Sequence, residues 1–298
     1  MTDRQILDVG EWVRLTDAKG RRHNLCLRAG EEFSTNRGQV NHDDIIGRPE
    51  GIIIESGLGH QYQVFRPLMH EYAVSMPRGA AIVYPKDAAQ IIVMADIYPG
   101  ARVVEAGAGS GSLTNFLLRA LGPDGHLSSY ELREDFARTC QQNVEQIYGT
   151  SIRSWRLTVG DVRTQMREWN IDRMILDLVD PWTCVDLAGA RLRPGGIVCA
   201  YVTTTPQLSR FVETLRAHGG FTEPRAWENM ERIWHLEGLA VRPSHMSSGH
   251  TAFLATARRL APGERALART RRPAPGAYGS DYDGPVPADL VDQADLAE

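Results

Sequence analysis

One stretch of the chain limits its fold more than any other. The β-branched run Ala101-Arg-Val-Val-Glu-Ala106 leads directly into Gly107-Ala-Gly109-Ser-Gly111-Ser112, and Leu113, Phe116, Leu117, Ala120 and Leu121 then recur at helical spacing. A strand, a glycine loop and a helix in that order form the opening unit of a parallel α/β sheet. The glycines let a ligand approach the backbone, and the loop amides with the helix N-terminus offer room for an anionic group. A dinucleotide fingerprint would put its third glycine at position 112. Here it stands at 111. That spacing weakens a nicotinamide reading and favours the G-x-G-x-G loop of methyltransferases that use S-adenosylmethionine.

The flanking sequence repeats the alternation. His126 to Leu132, Trp155 to Val159, Arg173 to Leu178 and Ile197 to Val202 read as further strands. Phe136, Cys140, Val144 and Ile147 mark one intervening helix, and Leu208, Phe211, Val212 and Leu215 mark another that opens at Pro206 and stops at Gly219-Gly220. Two last β-like runs, Ile233–Leu239 and Thr251–Ala257, have no long helix between them and suggest an antiparallel edge. Before this zone the chain reads as small β structure. Val13 and Leu15, the turn Asp17-Ala18-Lys19-Gly20, and Leu25 and Leu27 form a hairpin signature, and two β-rich runs follow at 51–55 and 62–65. The expected organisation is a small N-terminal all-β domain over residues 1–75, an α/β domain over 76–260, and a tail over 261–298. The tail is rich in Pro, Gly, Ala and charge, and its composition predicts disorder.

Composition sets bounds on function. The 298 residues carry a formal net charge of −4, which at first argues against a nucleic-acid partner. Six of the 37 acids lie after Ser280, where no Lys or Arg occurs, so residues 1–280 hold 33 basic side chains against 31 acidic. All the basic residues but Lys19 and Lys86 are Arg, the better fork for phosphate. No two of Cys26, Cys140, Cys184 and Cys199 have CxxC spacing, so no metal site is expected and the four read as small core residues. The N-terminus lacks a signal-peptide pattern and no apolar run reaches membrane-spanning length, so a cytoplasmic location with no membrane partner is expected.

Four acids stand at or beside the carboxyl ends of the first four inferred strands: Glu105, Glu131, Asp161 and Asp177. Ligands of open α/β sheets bind outside those ends. Glu131 is placed to take ribose hydroxyls, and Asp161, followed by Val162, to accept an adenine amino group. With Gly107, Gly109, Ser110, Gly111, Ser112 and Leu113 they describe an adenosyl pocket. Asp177 opens Asp177-Leu-Val-Asp-Pro-Trp182, an acid followed by a Pro-aromatic element, as beside the methyl group in enzymes that methylate base nitrogens. Trp182 fits either a stacking face or core packing.

On these residues the chain resembles the tRNA (adenine-N1)-methyltransferase family of the TrmI type. Met76–Gln90, Glu105–Leu113, Leu176–Trp182, Tyr201 with Gln207, and Gly249–Phe253 carry the resemblance, which spans about residues 10–260. The segment Arg37-Gly38 to Gly47 fits the family's small β domain. The stretch Val179-Asp180 departs from the usual pattern, which puts the role of Asp180 in question. The resemblance implies a seven-stranded Rossmann-like class I methyltransferase domain, S-adenosyl-L-methionine as cofactor, adenine 58 of the tRNA T-loop as target, and a homotetramer. It further implies that Asp177 acts on the target base and that Tyr84 and Tyr201 line its pocket. The N-terminal domain and the loop from Arg242 to His250 are candidates for holding RNA, although His250 fits a loop-closing hydrogen bond equally well. Two other readings stay open: a NAD-dependent oxidoreductase on the same fold class, and a non-catalytic tRNA-binding subunit.

Overall fold

The turn at Asp17 reverses the chain as its composition predicts, because the Asp17 carboxylate accepts the amides of Lys19 and Arg21 at 2.8 and 3.0 Å. The computed structural model describes residues 6–79, 81–245, 249–267, 274 and 276–286. Two units are distinguished, Met1–Met76 and Pro77–Glu298. In the first, β1 (Trp12–Asp17), β2 (Arg22–Cys26), β5 (Ile52–Glu55) and β6 (Gln61–Phe65) form an antiparallel sheet in the order β2-β1-β6-β5. A separate hairpin pairs β3 (Glu32–Thr35) with β4 (Gly38–Asn41), and α1 (Met69–Ser75) ends the unit. Val13, Leu15, Leu27, Ile45, Tyr62 and Val64 fill its core. The sequence does not announce β3 and β4, because Phe33 and Val40 are their only large apolar side chains.

The second unit is a seven-stranded sheet with helices on both faces. Its elements are α2 (Pro85–Met94), β7 (Arg102–Ala106), α3 (Ser112–Leu121), β8 (His126–Glu131), α4 (Glu134–Tyr148), β9 (Trp155–Val159), α5 (Val162–Gln165), β10 (Ile171–Leu176), α6 (Val185–Arg191), β11 (Leu192–Val202), α7 (Thr205–His218), β12 (Arg225–Glu228), β13 (Trp234–Glu237), β14 (Ala240–Pro243) and β15 (Phe253–Arg258). The strand order is β12-β15-β11-β10-β7-β8-β9. Strands β7 to β11 are parallel, and β15 is antiparallel to both β11 and β12. The connections step outward from β7 through β8 to β9, then return to β10 on its other side. That reversal makes the β7–β10 crevice the topological switch point. One core layer joins α2, α3 and α4 to the sheet through Ile91, Leu117, Leu121 and Val144. The opposite layer holds Val162, Val185, Phe211 and Leu215 of α5, α6 and α7.

Three expectations need correction. The run Ile233–Leu239 does not join the sheet: β13 pairs with β14 in a separate two-stranded ribbon. The edge position belongs to β12, whose four residues hold one large apolar side chain and give little sequence signal. The fourth strand begins at Ile171, not Arg173, and every residue in it is buried. Its start is masked in the sequence by Asp172 and Arg173, whose charges are matched in place. Asp172 accepts from Tyr98 Oη and the Arg102 amide, both at 2.8 Å, and Arg173 reaches Asp96 at 2.6 Å. Within 261–298, the Ala266 amide donates to Gly219 O at 2.8 Å and the Tyr278 hydroxyl to Glu213 at 2.9 Å. Residues 268–273, 275 and 287–298 of the expected disordered tail, with 246–248 of the loop before His250, lie outside the described residues.

Leu117 is fully buried on the sheet-facing side of α3. Leu117→Ala is expected to lower stability by about 2–5 kcal/mol through the lost transfer energy and the cavity left behind. Denaturant unfolding of the two proteins side by side measures it.

Candidate active site

At the carboxyl ends of β7, β8, β9 and β10 lies an open cleft of about 410 Å³. Gly107, Gly109, Glu131, Asp161, Val162 and Asp177 line it, and a narrow extension reaches Ser110, Ser112 and Leu113. Of the residues expected to form the adenosyl pocket, only Glu105 and Gly111 stand behind the wall. Glu105 is fully buried, and its Oε2 accepts the hydroxyls of Thr114 and Ser129 at 2.8 and 2.6 Å. It braces the loop against α3 and β8. Gly111 is the left-handed N-cap of α3, packed against Cys140.

Gly107 needs its missing side chain most. Its φ is +89°, and a Cβ there would lie 2.0 Å from the carbonyl oxygen of Asp177. The ends of β7 and β10 therefore touch directly, and the Asp177 amide donates to Ala106 O at 2.9 Å. Four of the loop amides are bonded within the protein. Gly107 and Ala108 donate to Tyr130 O, Gly111 donates to Ala108 O, and Gly109 donates to Glu131 Oε2 at 2.8 Å. Those four amides are already satisfied inside the protein, which leaves the amides at the N-terminus of α3 as the ones able to meet an anionic group.

Buried carboxyl groups set much of the electrostatics of the cleft. Burial pushes the carboxyl of Glu105 up to about 7; hydrogen bonds from Ser129 and Thr114 offset part of this, and the charge of Glu131 adds to it. Burial also pushes Asp177 up to about 7, reinforced by the charges of Glu105 and Glu131. Asp161 is held below the usual range by hydrogen bonds from Arg163. Arg163 meets Asp161 at 2.6 Å and Asp180 at 3.4 Å, so it spans the rim. Sequence reasoning missed Arg163, since an Arg two residues after an N-cap Asp carries no signal. An anionic pyrophosphate would add to the repulsion among these carboxylates, whereas a sulfonium would relieve it. The charge of the cleft therefore fits the sulfonium of S-adenosylmethionine better than the pyrophosphate of a nicotinamide dinucleotide.

Neither Tyr201 nor Tyr84 lines the cleft; Tyr201 is buried on β11, its hydroxyl raised by burial first and then by the charges of Asp87 and Asp177. Tyr84 is the N-cap of α2 and is 39% exposed. Next to them lies a buried cluster with no clear sequence signal. Lys86 Nζ donates to Asp87 at 2.7 Å, to Thr251 at 2.6 Å and to Asn229 O at 2.7 Å. Thr251 in turn donates to Asp87 at 2.6 Å. The cluster ties the start of α2 to the segment before β15. Trp182 does not line the cleft: it packs on the core beneath Arg210, whose guanidinium stands 4.8 Å from its ring centre. Gln207 caps α7 and donates to Val179 O at 2.8 Å, fixing the loop after Asp177. His250 closes its own loop, with one ring nitrogen 3.0 Å from Thr203 O and the other 3.0 Å from Glu228.

Residues 62–242 match the family model described as the tRNA methyltransferase complex GCD14 subunit, and residues 6–54 match the TrmI-like N-terminal model. The chain is 34% identical over 246 residues to the tRNA (adenine(58)-N(1))-methyltransferase TrmI of Thermus thermophilus, covering 82% of this chain and 95% of that one. It belongs to the TrmI-type tRNA (adenine-N1)-methyltransferase family. A second TrmI, the tRNA (adenine(57)-N(1)/adenine(58)-N(1))-methyltransferase of Methanocaldococcus jannaschii, is 31% identical over 82% of this chain and 93% of its own length. Among solved structures, a SAM-dependent O-methyltransferase from Thermotoga maritima superposes with a TM-score of 0.81 at 26% identity, covering 90% of this chain and 97% of that one. The tRNA (m1A58) methyltransferase TrmI from Aquifex aeolicus has the same fold, with a TM-score of 0.74 at 24% identity over 86% of this chain and 99% of that one. The fold of this TrmI-type chain is the seven-stranded class I methyltransferase fold.

Gly107→Ala tests the junction at the heart of the cleft. The added methyl must displace the Asp177 backbone at a positive φ, so the variant is expected to lose more than ~1 kcal/mol of stability. It is also expected to bind S-adenosylmethionine at least ~10-fold more weakly, which corresponds to about 1.4 kcal/mol. Thermal unfolding and calorimetric titration read the two effects.

Proposed function

We propose that this chain transfers a methyl group from S-adenosylmethionine to N1 of adenine 58 in the T-loop of tRNA. The observation that carries the proposal is the meeting of Glu131 and Asp177 in one cleft at the switch point of a TrmI-type fold. The intact glycine loop and its carboxylates favour an active enzyme over a non-catalytic tRNA-binding subunit. The cofactor, when bound, supplies an electrophilic methyl on a positively charged sulfur. Glu131 keeps lone pairs beyond the amides of Gly109 and Arg133 and takes the ribose hydroxyls. Asp161 and Val162 receive the adenine of the cofactor, Asp161 by exchanging hydrogen bonds with Arg163. Ser110, Ser112 and Leu113 shape the floor, with Glu105 and Gly111 bracing it from behind.

Adenine N1 carries a lone pair and no proton, so bond formation needs no general base. The difficulty is that a neutral base becomes a cation. Ionised Asp177 accepts from the exocyclic amine of the target and stabilises that charge as it forms. Tyr84 and Tyr201 hold the base in line, with the Lys86–Asp87–Thr251 cluster fixing the segments that carry them. The target adenine must leave its stack in folded tRNA to reach the cleft.

We also place the chain in a homotetramer in the cytoplasm. Every residue of β13 and β14 is exposed, including Trp234, Leu236 and Val241, and a two-stranded ribbon is marginal alone in water. A second copy of the chain covering those side chains would stabilise it. Among the described residues no helix is long and apolar enough to cross a membrane.

Incubation with an unmodified tRNA transcript and S-adenosylmethionine, followed by nucleoside analysis, is expected to yield 1-methyladenosine, and none when adenine 58 is replaced by guanine. Absence of product from the wild-type adenine transcript would overturn the proposal. Because the Asp177 carboxyl is pushed up to about 7, it is protonated below that pH and ionised above it. kcat/KM should therefore rise with pH through about 7 and level off. Asp177→Asn should lower kcat by roughly 10²–10³-fold and abolish that rise. Leu236→Asp with Val241→Asp should reduce the mass measured by light scattering below that of four chains, and an unchanged mass would remove the ribbon from the assembly.

A further inference from the structure

The opposite end of the same sheet carries a second cleft, of about 310 Å³, at the amino ends of β7, β8, β9 and β10. It exists because the crossover from β9 to β10 is too short to cover the sheet. Helix α5 has four residues, about 6 Å of helix, against strands of up to six residues and about 20 Å. Parallel register places Arg102 beside His126 and Ser128 beside Arg156, and alternation turns all four to the face that α5 leaves bare. Arg153, just before β9, joins them at the rim.

The charge there is not neutralised. Arg102, Arg153 and Arg156 are exposed, and none of their guanidinium groups has an ion pair or hydrogen bond among the described residues. The acids nearby are already engaged. Glu168 accepts from Tyr130 Oη at 2.6 Å and from the Arg167 amide at 3.1 Å. Asp172 accepts from Tyr98 and the Arg102 amide and pairs with Arg193. Three guanidinium forks thus face one carboxylate that is satisfied by its own neighbours.

We infer that this cleft binds the phosphodiester backbone of the tRNA, away from the T-loop. The inference rests on the proposed tRNA substrate and adds a second, non-catalytic contact to it. Arginine forks match phosphate oxygens in pairs. The two clefts are separated by roughly a strand length, about 20 Å. A duplex RNA arm carries many phosphates over that span, so a tRNA engaged at one cleft presents charge to the other.

The test compares Arg153→Glu/Arg156→Glu with the charge-keeping Arg153→Lys/Arg156→Lys. For the Glu pair, tRNA affinity should fall at least ~10-fold, and the dependence of log K on log salt should become shallower by about 0.9 for each phosphate that the protein no longer neutralises. The KM for tRNA should rise in step while kcat and S-adenosylmethionine binding stay at wild-type values. The Lys pair should keep most of the affinity. Equal tRNA affinity and salt slope in the Glu pair and wild type would overturn the inference. So would pyrophosphate binding that the Glu pair loses without losing tRNA, since that describes a small-anion site. Should the Glu pair lose cofactor binding through misfolding, Arg153→Gln and Arg156→Gln read the same slope singly, and an unchanged slope overturns the inference. A wild-type chain that binds tRNA but makes no 1-methyladenosine counts against the proposed reaction alone.

Discussion

The closeness of two strand ends governs the architecture of the site. Where β7 stops, Gly107 lies so near the backbone of Asp177 that no side chain fits between them. The chain can turn from β7 into α3 only because position 107 tolerates a positive φ, and β10 can run beside β7 only because that position lacks a Cβ. This contact brings Asp177 to the floor of the cleft whose other wall carries Glu131. The reversal of strand order at β7 then leaves the crevice open outside the carboxyl ends.

That geometry concentrates negative charge in a poorly solvated place. Glu105 and Asp177 resist ionising near neutral pH because burial strips their water and the neighbouring carboxylates repel. Such an arrangement opposes an anionic cofactor and suits a sulfonium, as well as a target base that turns cationic during the reaction. The fold answers the same problem elsewhere with direct pairing. Arg163 neutralises Asp161 at the rim, and Lys86 neutralises Asp87 beneath the start of α2. Among the described residues, the cleft carboxylates without a basic partner mark the chemistry, and Arg102, Arg153 and Arg156, without an acidic partner, gather at the far end of the sheet.

Much of this was legible in the chain itself. Helices α3, α4 and α7 repeat apolar residues at a period near 3.6, and the buried faces follow that period. β7 and β9 lie where their β-branched and aromatic residues place them. Misreadings arose where burial depended on distant partners. Asp172 reads as lying outside the strand until Arg102 and Tyr98 are brought to meet it. Ile233–Leu239 looks like part of the antiparallel edge of the sheet because its pattern does not reveal which partner it will pair with. The Arg-rich start of β9 looks like ordinary solvated charge until the shortness of α5 leaves that face of the sheet bare.

By itself the sequence determined the strand–loop–helix unit, the glycine spacing that separates this loop from a dinucleotide fingerprint, and the acids that follow the strands. These are local properties, decided by φ preferences and by periods of two and 3.6 residues. Only the tertiary structure decided which acids share the cleft and which serve as props. Glu105 stands opposite Ser129, and Glu131 lies two residues farther along β8, so one braces the loop from inside while the other lines the opening. The difference lies in how β7 and β8 are registered, and that is set by contacts between residues far apart in the chain.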